Sequence, residues 1–227
     1  MAHYVLSDIH GEGERFHRML EKIRFSREDK LYILGDVIDR GPGGIALLRE
    51  IMASSNMELL LGNHEYMMTR YFAPEAAEVE IRRWNRNGNS PTLAAFLRLT
   101  PREREEILSY LQTRKPHILL ELPGERFYLV HGFPGENLHD EVWGRPGLED
   151  PNPIPGRTLI IGHTPVLLLG RDPQAQQRYG EALMRSGDHL RILHAPGFLD
   201  LDCGCGHGIS FRALACLRLE DRAEFYT

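Results

Sequence analysis

The chain lacks several features that would assign it to particular classes of protein. Its three cysteines, Cys203, Cys205 and Cys216, are too few and too clustered for a disulfide framework, and the odd number favours a reducing compartment. No apolar run approaches the roughly 18 to 20 residues needed to cross a bilayer. Residues 1–7 also lack the basic and long apolar regions of a signal peptide. We therefore expect a cytoplasmic protein with no membrane partner.

A surplus of positive charge is also missing. The formal net charge is -5 and the pI is about 6.1, so the overall electrostatics do not favour nucleic acid or an anionic membrane, and any phosphate binding must be local. The 227 residues are 42% hydrophobic and 26% charged. This composition predicts one soluble globular domain that spans residues 1–227 and buries a sizeable core.

The first part of the chain alternates between strand-like and helix-like segments. Short apolar runs separate stretches in which apolar residues recur at helical spacing. The predicted strands are 3–7, 30–34 and 57–61, and the predicted helices are 12–25, 42–53 and 64–72. This rhythm indicates an α/β core.

Residues 74–115 differ in character and predict a helical insertion. Pro91 follows Ser90, and Thr100-Pro101-Arg102-Glu103 matches a capping box with proline in the first turn, so two or three consecutive helices are expected. Trp84 lies among arginines and either faces a substrate or, in the simpler interpretation, is the one buried aromatic of a solvated helix.

The second half of the chain is expected to be rich in strands. Glycine and proline separate short runs of strand periodicity, predicted over residues 117–122, 126–130, 157–161, 190–194, 198–202 and 210–219. Residues 132–156 and 164–188 are rich in proline, glycine and charge and are predicted to be surface loops.

Polar residues follow five of these strands in order and predict a site for two divalent metals. Asp8 and His10 are two apart in an extended segment, so both can bind one ion. Asp36 ends the second strand, and its carboxylate can bridge two cations roughly 3.5 to 4 Å apart. Oxygen and imidazole donors for the second ion follow three later strands, and these are Asn63, His131 and His163. Mixed nitrogen and oxygen donors suit manganese, the first choice here, and also iron or zinc.

Together, the blocks Asp8-Ile9-His10, Gly35-Asp36-Val37-Ile38-Asp39-Arg40-Gly41, Gly62-Asn63-His64-Glu65, His131-Gly132 and Gly162-His163 resemble the metallophosphoesterase superfamily with the calcineurin-like fold. The resemblance is specifically to its phosphoprotein phosphatase branch, which includes small bacterial and phage enzymes. It implies a two-layer β-sandwich flanked by helices. It also implies that Asp36 is shared between one metal, held by Asp8 and His10, and another, held by Asn63, His131 and His163.

The resemblance also implies roles for residues beside the metal ligands. Arg40 occupies the place of a phosphate-binding arginine, and His64 that of a catalytic acid with Asp39 as its partner. Chemistry supports these roles, because a departing alkoxide needs a proton and a guanidinium can donate two hydrogen bonds to phosphate oxygens. Arg145 resembles a second phosphate-binding arginine in a Trp-x-Arg stretch, although a loop arginine can equally be a solvated one.

Two segments depart from the pattern of ligands. Phe133 follows His131-Gly132 where the family usually has a small residue, so it either shapes the pocket wall or belongs to the core. Cys203-Gly204-Cys205-Gly206-His207 is not a closed zinc set, because no second cysteine pair exists. We expect structural or incidental roles for it.

Three functions are compared. The leading expectation is a dinuclear-metal phosphatase for phosphoserine, phosphothreonine or phosphotyrosine in proteins, with a phosphorylated protein or small phosphoester as its partner. The alternative is a hydrolase of dinucleoside polyphosphates such as diadenosine tetraphosphate. Asp39 favours the first, because the second block of those hydrolases usually lacks this aspartate. A non-catalytic scaffold is disfavoured, because a scaffold has no need of His64 and Arg40 beside a full ligand set.

Overall fold

The computed structural model describes residues 1–169, 189–209 and 211–227. Its strands form two five-stranded sheets that pack against each other, with helices around them, which confirms the predicted α/β sandwich. The first sheet has the order β10-β9-β1-β2-β3 and the second β4-β5-β6-β8-β7. The strands are β1 (His3–Leu6), β2 (Lys30–Ile33), β3 (Met57–Leu59), β4 (His117–Leu122), β5 (Glu125–Val130), β6 (Thr158–Ile161), β7 (Leu193–His194), β8 (Leu199–Asp200), β9 (Ala215–Arg218) and β10 (Glu224–Tyr226).

The central strands β1, β2 and β9 of the first sheet are largely buried on both faces, which explains their uninterrupted apolar runs. Side chains alternate along a strand, so Val5 of β1 packs into the core between the sheets, while Tyr4 and Leu6 pack against the helices. β1 pairs with β2 in parallel, and β2 with β3 likewise. The carboxyl ends of all three strands therefore meet at one edge.

Seven helices lie among the described residues. They are α1 (Gly13–Lys22), α2 (Gly44–Ala53), α3 (Asn63–Tyr71), α4 (Glu78–Arg86), α5 (Ser90–Leu97), α6 (Pro101–Gln112) and α7 (Leu138–Trp143). The segment predicted as an insertion contains three of them, α4 to α6. Thr100 and Glu103 form the predicted capping box at the start of α6.

The structure differs from the sequence prediction in the second half. Residues 132–156 were predicted as a loop but contain helix α7, which begins after the capping residue Asn137. The helix was not predicted because six residues are too few to show helical periodicity. The last predicted strand shortens to β9 and is followed by the unpredicted β10, with which it pairs antiparallel. Of the predicted loop 164–188, residues 164–169 include a short 3-10 helix at Val166–Leu168, and residues 170–188 lie outside the described residues, as does Ser210.

Candidate metal centre

The loops after β1, β2, β5 and β6 and the start of α3 converge at one edge of the sandwich. The loops after β2 and β3 approach so closely that a side-chain carbon on Gly35, whose φ is +109°, would lie 2.5 Å from the Gly62 backbone. Several non-glycine residues there also have positive φ, namely Asp8, His10, Asp36, Asp39, Arg40 and His163. Such backbone strain persists where surrounding structure fixes it, and it clusters at functional sites.

Asp36 lies at the centre of the convergence. One carboxylate oxygen, Oδ2, is 3.6 Å from Nε2 of His10, and the other, Oδ1, is 3.4 Å from Nε2 of His131. Both histidines and Asp36 are almost completely buried. The two oxygens thus face two different imidazoles, which is the arrangement that a bridging carboxylate requires.

Hydrogen bonds set the tautomers of these two histidines. Nδ1 of His10 donates to the Ile38 carbonyl at 3.1 Å, and Nδ1 of His131 donates to the Leu34 carbonyl at 2.9 Å. Burial lowers the pKa of His131 to about 4 and that of His10 well below its usual value. Both rings are therefore neutral at pH 7, with the Nε2 lone pair directed into the site, as in metal-ligating histidines.

The amide oxygen of Asn63 faces the two histidines predicted to hold the second ion with it. Its amide oxygen lies 2.9 Å from Nε2 of His131 and 2.8 Å from Nδ1 of His163. The backbone N–H of His163 donates to Asp8 at 2.9 Å, which joins the loop after β6 to the loop after β1. Oδ1 of Asp8 and Nε2 of His163 are buried without a hydrogen-bond partner in the described part of the chain.

The site concentrates buried negative charge. Burial and the neighbouring Asp8 carboxylate raise the pKa of Asp36 well above its usual range. The same two causes raise the pKa of Asp202, and burial raises that of Glu65 to about 7. Buried carboxylates this close together are costly unless cations compensate them. The donor set, its tautomers and its charge therefore fit a pair of divalent cations.

Two compact groups of potential ligands occur among the described residues, and they share Asp36. One consists of Asp36, His131 and His163, which are three of the four residues expected at the second ion. The other consists of His10, Asp36 and His64, and the ligand atoms lie within 4.8 Å of one another in each group. His64 thus takes the place predicted for Asp8, whose Oδ1 lies 3.8 Å from Nε2 of His10. Asp8 remains a predicted ligand, and its buried Oδ1 has no hydrogen-bond partner among the described residues.

His64 has other partners that suit a proton donor. Its Nδ1 lies 2.6 Å from Oδ2 of Asp39, and both side chains are buried. Its Nε2 lies 3.4 Å from an Arg40 guanidinium nitrogen, so a cation already approaches that side of the ring. Burial lowers the pKa of His64, and the Asp39 hydrogen bond opposes this effect. The structure thus places the predicted pair, His64 and Asp39, in direct contact.

The two predicted phosphate-binding arginines lie beside the ligands. Arg40 donates from Nη1 to Nε2 of His207 at 2.9 Å. Arg145 donates to the Thr164 hydroxyl at 3.2 Å, next to His163 in the chain. Phe133, expected either in the pocket wall or in the core, packs edge-on against the buried Phe198, with ring centroids 5.6 Å apart.

Sequence reasoning missed several residues that support the site. Glu65 accepts backbone hydrogen bonds from Asp36 at 2.8 Å and Val37 at 2.9 Å. It therefore holds the loop after β2 that contains Asp36, here called the bridging loop. Its place in the Gly62-Asn63-His64-Glu65 block was the only signal. His207 contacts Arg40 although it belongs to the segment judged incidental. Trp84 of α4 donates to Asp39. No local pattern could reveal these long-range contacts.

The cysteines of that segment do not contribute to either group of ligands. Cys203 and Cys205 are buried, and the Cys205 thiol lies 3.6 Å from the Ile9 carbonyl as a hydrogen-bond donor. Burial raises the pKa of Cys205 to about 12, so it remains a protonated thiol. Among the described residues, no helix has the length and apolar character needed to cross a membrane.

The fold and the site correspond to a known family. The sequence profile of the calcineurin-like phosphoesterases matches residues 1–207, and the chain belongs to this family. The predicted superfamily is therefore confirmed. Members of the family use a dinuclear divalent metal site, and the two ligand groups around Asp36 are candidates for that site here.

Among curated proteins, the chain is similar to the symmetrical bis(5'-nucleosyl)-tetraphosphatase of Delftia acidovorans. The two are 35% identical over 136 residues, which cover 58% of this chain and 44% of that protein. The chain therefore spans less than half the length of that relative. Further relatives, 29% to 40% identical, carry the same name.

Solved structures establish the fold similarity. A protein provisionally assigned as a diadenosine tetraphosphatase superposes with a TM-score of 0.62 at 16% identity, covering 100% of this chain and 92% of that one. A serine/threonine phosphatase from Saccharomyces cerevisiae gives 0.60 at 11% identity, covering 100% and 79%. At these identities the similarity establishes the fold alone, and the fold occurs both in the protein assigned as a tetraphosphatase and in the serine/threonine phosphatase.

The leading expectation of a phosphoprotein phosphatase is wrong. The curated relatives support its alternative, a dinucleoside polyphosphate hydrolase. The expectation depended on a single side chain, Asp39, which does not distinguish the two classes of substrate. Asp39 contacts His64 and Trp84, so it acts on the orientation of another residue and carries no direct information about what the phosphate is attached to.

Proposed function

We propose that the chain is a dinuclear-metal hydrolase that cleaves the polyphosphate bridge of dinucleoside polyphosphates, with diadenosine tetraphosphate as the reference substrate. The main support is the similarity to symmetrical tetraphosphatases. It is combined with two groups of buried donor atoms that share Asp36 and include His10, His131 and His163. Symmetrical cleavage of this substrate would yield two molecules of ADP.

The proposed ligands divide around Asp36. Asp8, His10 and Asp36 would hold one divalent cation, and Asp36, Asn63, His131 and His163 the other. Two such cations supply an activated water nucleophile near neutral pH and offset the charge of the phosphoryl group. The mixture of carboxylate, amide and imidazole donors suits manganese, iron or zinc.

Residues beside the ligands would bind the substrate and transfer a proton. Arg40 lies beside His64, and Arg145 contacts Thr164, which follows the proposed ligand His163 in the chain. Two guanidinium groups can therefore contact oxygens of the polyphosphate. His64 would donate a proton from Nε2 to the oxygen of the departing nucleotide. Asp39, at 2.6 Å from Nδ1, would stabilise the protonated ring before transfer.

A substrate panel tests this proposal. Purified protein loaded with manganese is incubated with diadenosine tetraphosphate, a phosphoserine peptide and p-nitrophenyl phosphate, and products are separated by anion-exchange chromatography. We expect the highest kcat/KM for the tetraphosphate, with ADP as the sole nucleotide product. Faster hydrolysis of the phosphopeptide, or AMP and ATP in equal amounts, would contradict the assignment. A protein with Asp36→Asn provides the control for contaminating phosphatase activity.

A further inference from the structure

Helices α4 and α5 contact the His64–Asp39 pair directly. Trp84 of α4 donates from Nε1 to Oδ2 of Asp39 at 2.7 Å. The backbone N–H of Asp39 donates to the Thr92 hydroxyl of α5 at 2.8 Å. Between the two helices, the Gly88 carbonyl accepts from the Arg40 backbone at 2.9 Å. Three hydrogen bonds therefore connect this helical segment to two adjacent site residues.

The Trp84 contact is specific rather than incidental packing. Trp84 is 0% exposed, and its ring lies edge-on to Tyr71 and Phe72, with centroids 4.9 and 6.0 Å away. An indole nitrogen can only donate, and a buried donor without an acceptor is costly. The acceptor it meets is the Asp39 oxygen that also lies 2.6 Å from Nδ1 of His64.

Asp39 has little else to hold its carboxylate. Its other oxygen, Oδ1, is buried without a hydrogen-bond partner among the described residues, and its backbone has a φ of +72°. If Trp84 did not donate to Oδ2, only the His64 ring would hold the carboxylate about its terminal torsion, which has broad energy wells. The orientation of the His64 ring depends on that carboxylate.

We infer that Trp84 is a positioning residue that fixes Asp39 and, through it, the His64 ring, so that α4 contributes to the hydrolytic machinery. This inference rests on the proposed hydrolase activity for its kinetic consequence. It does not depend on which phosphorylated substrate the protein hydrolyses. The competing explanation is that Trp84 only fills the apolar space beside Tyr71 and Phe72.

The hydrogen bond is tested without activity. The chain has two tryptophans, so a ¹⁵N-labelled sample gives two indole N–H resonances, and Trp143→Phe identifies that of Trp84. We expect the Trp84 proton to exchange slowly with solvent and its resonance to move on Asp39→Asn. It should move far less on His64→Asn, because an asparagine amide can still donate to Asp39. A Trp84 resonance unchanged by Asp39→Asn would overturn the inference.

The positioning role is tested by a double-mutant cycle. Trp84→Phe keeps an aromatic ring and removes the donor, so kcat for an alkyl phosphate should fall about tenfold, as expected for loss of a hydrogen bond to a charged group. In a His64→Asn background the same change should alter kcat by less than about twofold. An equal loss in both backgrounds would show that Trp84 contributes packing alone.

Phe96→Leu is the matched control for packing. Phe96 lies in the same aromatic cluster, 4.7 Å from the Phe72 ring, and is buried like Trp84. This variant should lower thermal stability and leave kcat within about twofold, and a tenfold loss of kcat would refute a specific role for Trp84. If the unaltered protein hydrolyses no phosphoester, the proposed function is wrong and the kinetic tests do not apply. The response of the Trp84 indole resonance to Asp39→Asn then tests the inference by itself.

Discussion

Replacing His64 with asparagine separates the role of proton donor from that of metal ligand. The asparagine amide reaches about as far as Nδ1 of the ring, so it can still donate to Asp39, which lies 2.6 Å from Nδ1. Only Nε2, the predicted proton donor, is lost. His64→Asn therefore removes one function while preserving the buried contact that holds α3 beside the bridging loop.

The expected loss depends on the leaving group. General acid catalysis contributes roughly 10² to 10⁴ in rate when the leaving oxygen is strongly basic. An alkoxide is about as basic as hydroxide and far more basic than a terminal phosphate, which has a pKa of about 6. Turnover of an alkyl phosphate should therefore fall roughly 10² to 10⁴-fold, and that of diadenosine tetraphosphate by about tenfold.

The assay measures kcat for both substrates and the metal content by mass spectrometry. We expect about two manganese ions per chain in the wild-type protein and in the variant. A fall to about one ion per chain would show that His64 is a ligand, as its 3.7 Å distance from Asp36 also permits. An equal loss of kcat for both substrates would refute proton donation to the leaving group.

Three further changes test other parts of the site. Asp36→Asn should remove both ions or leave a weakly active mononuclear form, and full activity with two ions would refute the bridge. Arg40→Ala should raise KM about tenfold by removing a charge-assisted hydrogen bond, whereas the same change at the exposed Arg102 should leave KM unaltered. Glu65→Gln should lower the free energy of unfolding by about 2 kcal/mol in urea, because an amide donor would face the Asp36 or Val37 N–H; unchanged stability would contradict this.

The pattern of proposed ligands could be predicted from the sequence because most of these residues follow closely after a strand. Asp8, Asp36 and His131 follow apolar runs that could only be buried strands, and the carboxyl ends of parallel strands share an edge. The capping box at Thr100 is similarly local. These features depend on residues within a few positions of one another, which is the range over which periodicity and capping operate.

The supporting contacts were not readable because they join distant segments. Trp84 meets Asp39 from 45 positions away, and His207 meets Arg40 from 167 positions away. Trp84 was favoured as a buried aromatic, and it is buried, but burial alone did not predict its acceptor. The substrate class was missed because a phosphate-binding arginine and a dinuclear site serve monoesters and anhydrides alike.

Anomalous X-ray scattering from crystals grown with manganese tests the central claim most directly. Data collected at the manganese absorption edge should show two peaks, roughly 3.5 to 4 Å apart, with one Asp36 oxygen directed at each. His10 should lie beside one peak and His131 beside the other, as their distances to the two oxygens indicate. A single peak, or two peaks that do not share Asp36, would contradict the dinuclear assignment.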